Sequence, residues 1–163
     1  MTQLSKRQAI AEYLEKETMP LIKIIPGEIF NQQFTRPRDR TFPLVLDGGT
    51  GTGKTYAARH WTGDPEEVLV LNCSGISSEP DHRPYVEGKH RVLVYDELTP
   101  EIMASYRKIF QAPAFALQMG QSATSVYSYT VFLSGVRQIV CANNWEGQLR
   151  KMEDDPAKVE DAR

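Results

Sequence analysis

The chain has 163 residues, enough for one domain with a real core and too few for two full ones. Its 19 Lys and Arg against 21 Asp and Glu leave a formal charge of −2, which argues against coating nucleic acid through bulk positive charge but leaves room for a local basic lining, as in an oligomeric pore. No apolar run is long enough to span a bilayer and the first residues carry no signal-peptide pattern, so a soluble, intracellular protein is expected.

Ser5 followed by Gln8 makes a capping box, and Ile10, Tyr13 and Leu14 form one apolar stripe, which predicts a short amphipathic helix ending before Pro20. The stripe suits either packing on the chain's own core or contact between copies. Arg36-Pro37-Arg38-Asp39-Arg40 is a polar, turn-rich connector expected to be solvated. Residues 1–40 thus read as an N-terminal helical or oligomerisation segment with its connector.

Phe42 to Asp47 is a short apolar run that predicts a buried strand, and directly after it Gly48-Gly49-Thr50-Gly51-Thr52-Gly53-Lys54-Thr55 fits G-x-x-x-x-G-K-[ST] without a mismatch. Glycines let the backbone curl so that consecutive N–H groups form a concave nest for phosphate oxygens. Lys54 adds a mobile point charge. Thr55 falls in the first turn of the next helix, where its hydroxyl can coordinate Mg²⁺ while the helix dipole faces the phosphates. Tyr56 to Trp61 can continue that helix until Thr62-Gly63-Asp64-Pro65 breaks it. Strand, loop and helix come in the order the motif requires, which predicts binding of a nucleoside triphosphate, ATP, with Mg²⁺.

Three more apolar runs, Val68 to Cys73, Val92 to Glu97 and Gln138 to Asn144, suit buried parallel strands by length and β-branched content. With helices between them they predict an α/β P-loop NTPase with a mostly parallel central sheet flanked by helices. Cys73 and Cys141 fall inside these runs and are expected as buried thiols. His82-Arg83 and Lys89-His90-Arg91, in the polar stretch between the second and third strands, suit a solvated loop or a contact to a phosphate backbone. Thr99 can cap a helix that Pro100 and Glu101 open, with Ile102, Met103, Tyr106, Ile109 and Phe110 at core-facing spacing. Phe115 to Phe132 reads as a hairpin or long loop around Gly120 to Ser125. The C-terminal stretch mixes both charge signs with little apolar content, so residues 150–163 are expected to be a flexible tail.

Asp96 and Glu97 end the third run. An aspartate there would hold Mg²⁺ through its water shell, and a glutamate beside it would polarise the attacking water; the competing reading is an ordinary solvated acidic pair. Asn143-Asn144 closes the last strand, where an amide could reach the γ-phosphate and the attacking water, or simply form a turn.

Taken together, the glycine loop Gly48 to Thr55, the strand Val-Leu-Val-Tyr-Asp-Glu and the segment Val136 to Asn144 resemble the superfamily 3 helicase domain of viral replication-associated (Rep) proteins, those of viruses with circular single-stranded DNA. The resemblance covers roughly Thr41 to Trp145 and implies an ATPase domain over 41–149. In it Val136 to Asn144 resembles the family's motif C, with Asn144 at the sensor position. The resemblance also implies a ring-like homo-oligomer, commonly a hexamer, in which a neighbour's arginine stabilises the transferred phosphoryl group. Arg137 and Arg150 flank motif C and are the candidates. The implied activity is ATP-driven unwinding of DNA during rolling-circle replication, with single-stranded DNA as partner, Lys54, Glu97, Asn144 and Arg137 as catalytic residues, and the host nucleus as location if the source is viral. The chain departs from the family in two places. Leu117 to Tyr129 contains no lysine where the family presents one to DNA, and no His-x-His nicking motif precedes the loop. The chain then reads as a helicase-only fragment or the product of a split or spliced gene, with a nicking domain or protein supplied elsewhere, or as a relative that lost nicking.

Two other classes use the same loop. A nucleotide-dependent switch or loader would keep every motif without unwinding anything, and a small-molecule kinase would add an arginine-rich lid and gain little from Glu97.

Overall fold

The computed structural model describes residues 27–120 and 128–154. Each of the four long apolar runs forms a strand: β1 (Leu44–Asp47), β2 (Val68–Asn72) and β3 (Val92–Asp96), followed by the short pair β4 (Leu117–Met119) and β5 (Tyr129–Val131), and finally β6 (Arg137–Ala142). The four long strands make one all-parallel sheet in the order β1-β6-β3-β2, and β4 and β5 pair antiparallel beside it. The helices are α1 (Lys54–Arg59), α2 (Pro100–Ser105), α3 (Arg107–Gln111) and α4 (Trp145–Glu153), with a helical segment at 27–32. The protein is therefore α/β, a parallel sheet flanked by helices.

Near-continuous apolar strands follow from burial on both faces. Alternate residues of β3 and β6 serve different cores. Val92, Val94, Ile139 and Cys141 face one layer with Phe30 and Ala58, while Leu93, Tyr95, Val140 and Ala142 face the other with Ile102, Ile109 and Phe110. Phe30 meets Phe34 and Trp61 edge to face, with ring centroids 5.3 and 5.9 Å apart, an arrangement that adds to simple burial.

The packed unit thus reaches back into the expected N-terminal segment, since Phe30 is fully buried. The helix expected between Ser5 and Pro20 lies outside the described residues. The connector Arg36 to Arg40 is exposed, as expected. The first strand begins two residues later than its apolar run, because Thr41 N donates to Gln111 O (2.8 Å) and Phe42 N to Gln33 Oε1 (2.7 Å), which ties those residues to other elements. Thr99 does cap α2, its Oγ1 accepting from Ile102 N at 3.4 Å. The single helix expected through Phe110 is split at Tyr106, whose ψ of 43° is not helical. The hairpin is present as β4 and β5, with 121–127 outside the described residues. At the other end α4 runs to Glu153 and buries Met152, so the stretch expected to be a flexible tail begins as helix; residues 155–163 lie outside the described set. Among the described residues no helix is long and apolar enough to cross a membrane.

One polar chain crosses the α2–α3 core. His82 Nδ1 donates to Pro80 O (2.9 Å), which leaves Nε2 to accept from the Tyr95 hydroxyl (2.8 Å). Tyr95 in turn accepts from Gln138 Nε2 at 2.9 Å, and the same amide donates to Ile109 O at 3.0 Å. Burial pushes the His82 imidazole from its ordinary 6.5 down to about 4, against the opposing pull of the Pro80 carbonyl and Asp81. Between those values the unfolded chain takes up a proton that the folded one refuses, so stability falls as the pH drops from about 6.5 towards 4. The expected loss is up to about 3 kcal/mol. Melting curves across that window should show it, and His82→Gln should flatten it; an equally steep curve in the variant would contradict this account.

Candidate functional site

Strand order determines which loops meet. Because β6 lies between β1 and β3, the segments leaving their carboxyl ends are neighbours, and that edge is where open parallel sheets bind ligands. After β1 the chain turns through Gly51 (φ 79°) and Gly53 (φ 86°), left-handed conformations in which a residue with a Cβ would be strained. Gly53 is also the N-cap of α1, so no side chain covers the first N–H groups of that helix.

Lys54 folds back over this loop. Its Nζ donates to Gly48 O (2.7 Å), Gly49 O (2.8 Å) and, from β6's end, Asn143 Oδ1 (2.9 Å). Thr55 Oγ1 donates to Asp96 Oδ1 at 3.3 Å, linking the loop to the end of β3. Glu97 follows with φ 59°, a left-handed backbone that costs a glutamate strain of order 1–3 kcal/mol and tends to mark functional sites. It is held there by its own N–H, which donates to Cys141 O at 2.8 Å. Loop residues Thr50 to Tyr56 with Asp96, Glu97, Cys141 and Asn143 line one cleft of about 280 Å³. A larger cleft of about 570 Å³ between α2, α3 and β4 contains none of the motif residues.

The amide in the cleft belongs to Asn143. Asn144, expected at the sensor position, is instead the N-cap of α4: its φ is 75° and its Oδ1 accepts from Gly147 N at 3.2 Å. The two neighbours diverge because the chain must leave the strand at Ala142 and enter a helix at Trp145 within two residues, and asparagine tolerates the left-handed conformation that this needs. For the nucleotide hydrolysis proposed below, Asn143→Ala is expected to lower turnover tenfold or more with little change in Tm, whereas Asn144→Ala should cost about 1 kcal/mol of stability. Thermal melts with steady-state kinetics separate the two, and the reverse pattern would restore Asn144 to the site.

Arg137 stands at the first position of β6, the opposite end of the sheet from the cleft, with its guanidinium 4.7 Å above the Phe34 ring. Burial, with Arg91 nearby, lowers its proton affinity. It has no contact with the cleft of its own chain. Arg150 is exposed on α4 and donates to Glu146 Oε1 at 2.7 Å, one turn away. The basic cluster between β2 and β3 is also smaller than its sequence suggests: His82 and His90 are buried, the latter with Nδ1 accepting from Val86 N at 2.9 Å. Arg83, Lys89 and Arg91 remain exposed, Arg83 beside Asp81 and Arg91 beside Glu67.

Both thiols are buried as expected. Burial, with Asp96 nearby, pushes Cys73 up to about 12 and Cys141 to about 11, so neither is a nucleophile near neutral pH. Asp47 is a site residue that the sequence reading missed. Burial by itself would raise its carboxyl, but hydrogen bonds from Trp145, Glu146, Asn144 and Gly48 N–H groups outweigh that and hold it below its usual value. An aspartate ending an apolar strand carries no local signal of this role, because the Asn144, Trp145 and Glu146 N–H groups that it joins are about a hundred positions away.

The residues present fit a magnesium-bound triphosphate. The loop offers backbone N–H groups and an ammonium for the phosphates, and the Thr55–Asp96 pair offers two oxygens for the metal. Among the described residues no group of three or more His, Cys, Asp or Glu is placed to hold a metal ion, and Mg²⁺ shared between one hydroxyl, one carboxylate and phosphate oxygens needs none. Compared with protein-family models and with curated proteins, the chain gives no match.

Proposed function

We propose that this chain is a P-loop NTPase that hydrolyses ATP with Mg²⁺ and couples the hydrolysis to single-stranded DNA as a Rep-type helicase motor. The observation that carries the reading is convergence: Thr55 meets Asp96 across 41 positions and Lys54 meets Asn143 across 89, all at the carboxyl edge of one parallel sheet. Lys54 and the loop N–H groups bind the β- and γ-phosphates. Thr55 and Asp96 would hold Mg²⁺, which when bound neutralises charge on the transferred group. Glu97 takes the proton of the water that attacks the γ-phosphorus, while the bond to the bridging oxygen breaks and its electrons leave with the diphosphate. Asn143 orients that water or the γ-phosphate.

The cleft is at or below the small end of ligand pockets, about 300–1,000 Å³, and is open to solvent. This supports nucleotide binding at the boundary with a neighbouring copy in a ring. Arg150, exposed on α4, is the candidate to serve the next subunit's site, and Arg137 is engaged with Phe34.

The second reading, a nucleotide-dependent switch or loader, gains weight from two observations: Leu117 to Tyr129 has no lysine, and the two histidines of the basic cluster point inward. Steady-state ATP hydrolysis with and without single-stranded DNA, followed by strand displacement, decides between them. Stimulation by DNA together with unwinding is the expected result. Hydrolysis indifferent to DNA would favour the switch, and phosphate transfer to an added acceptor would favour a kinase.

A further inference from the structure

Asp47 ends β1 one residue before the glycine loop and does not line the cleft. Its Oδ1 accepts from Asn144 N and Trp145 N, both at 2.9 Å, and its Oδ2 from Glu146 N at 3.3 Å. These bonds run from β1 to the start of α4, across the sheet. Ala142, the last residue of β6, is already in register with Asp47, and its carbonyl accepts from Gly48 N at 3.2 Å. Asn143 is the single residue between these two attachments, and its Oδ1 is the one that meets Lys54 at 2.9 Å.

Asp47 takes the first two N–H groups of α4, from Trp145 and Glu146, and Asn144 Oδ1 takes the third, from Gly147 N at 3.2 Å. Because these N–H groups stand just beyond Asn143, the Asp47 bonds, besides capping the helix, fix the separation between the end of the loop strand and the residues that follow Asn143. We infer that Asp47 is a positioning residue that holds the Asn143–Glu146 turn against the end of β1 and so keeps the Asn143 amide over Lys54 in the cleft. The inference rests on the ATPase reading above, because its consequence is expressed in turnover. Asp47 acts through Asn143, so removing either should produce the same defect.

The test is a double-mutant cycle on the full chain, measuring kcat and KM for ATP together with Tm for Asp47→Ala, Asp47→Asn, Asn143→Ala and Asp47→Ala/Asn143→Ala. A displaced catalytic group costs roughly tenfold to a hundredfold in rate. Asp47→Ala is therefore expected to lower kcat about as far as Asn143→Ala, with KM changed less than about twofold, and the double variant to be no slower than the slower single one. Asp47→Asn is near-isosteric, keeps one acceptor oxygen and should fall between wild type and alanine, which guards against a folding defect. Effects that multiply in the double variant, or a lower Tm with kcat intact, would overturn the inference while leaving the ATPase reading in place. A wild type without hydrolysis would remove that reading, and the inference with it.

Discussion

Lys54→Ala is expected to lower ATP turnover by a factor of about 10²–10³ or more, the cost of removing one preorganised donor at a phosphoryl-transfer site. The ammonium is already fixed before any ligand arrives, by Gly48 O, Gly49 O and the Asn143 amide at 2.7–2.9 Å. Its three N–H donors are thus all engaged, and phosphate oxygens bind by replacing one or more of these acceptors. Both glycine carbonyls lie near solvent and can turn to water, so the fold should survive with Tm close to wild type. Nucleotide affinity should fall with turnover, because the same charge binds ground state and transition state. A variant that hydrolyses ATP at wild-type rate would sink the assignment of this loop.

Glu97→Gln is expected to separate those two effects. The amide keeps the volume and the exposed position of the carboxylate but cannot accept a proton, so kcat should drop by about 10²–10⁴ while nucleotide still binds. The fold imposes the placement of Glu97: φ 59° is strained for a glutamate, and the Cys141 carbonyl holds it there through a 2.8 Å hydrogen bond. A nucleotide titration beside a phosphate-release assay gives both quantities. Loss of binding with residual chemistry intact would move Glu97 from proton acceptor to a structural part of the cleft.

The fold and the cleft differ in how much of each is legible along the chain. Strand positions follow from the length and β-branching of Val68 to Cys73, Val92 to Glu97 and Gln138 to Ala142, since burial on both faces demands continuous apolar residues. The glycine loop is legible because phosphate binding, the role proposed for it, requires particular residue types at fixed spacing. Helix α4 was readable too: Asn144 is a capping residue, Glu146 suits the first turn, and Leu149 and Met152 recur at helical spacing. The mixed charges around Lys151 to Asp155 mask that pattern, because such a composition equally suits a solvated tail. The choice between Asn143 and Asn144 was not readable, since both are turn formers at a strand end and only the exit direction of the chain separates them. The inward histidines were equally hidden, because His82 finds its partners in Pro80, close by, and in Tyr95, on the next strand.

What the sequence determined by itself was local and periodic: the strands, the phosphate-type loop and the acidic pair at the end of β3, each set by propensity, spacing or conformational need within a few residues. What the tertiary structure decided was adjacency. Placing β6 between β1 and β3 brings Asn143 to Lys54 and Asp47 to the start of α4, and sends Arg137 to the far end of the sheet. Those pairings depend on strand order and register, which are set by how all the apolar faces pack at once, and no window of sequence contains that information.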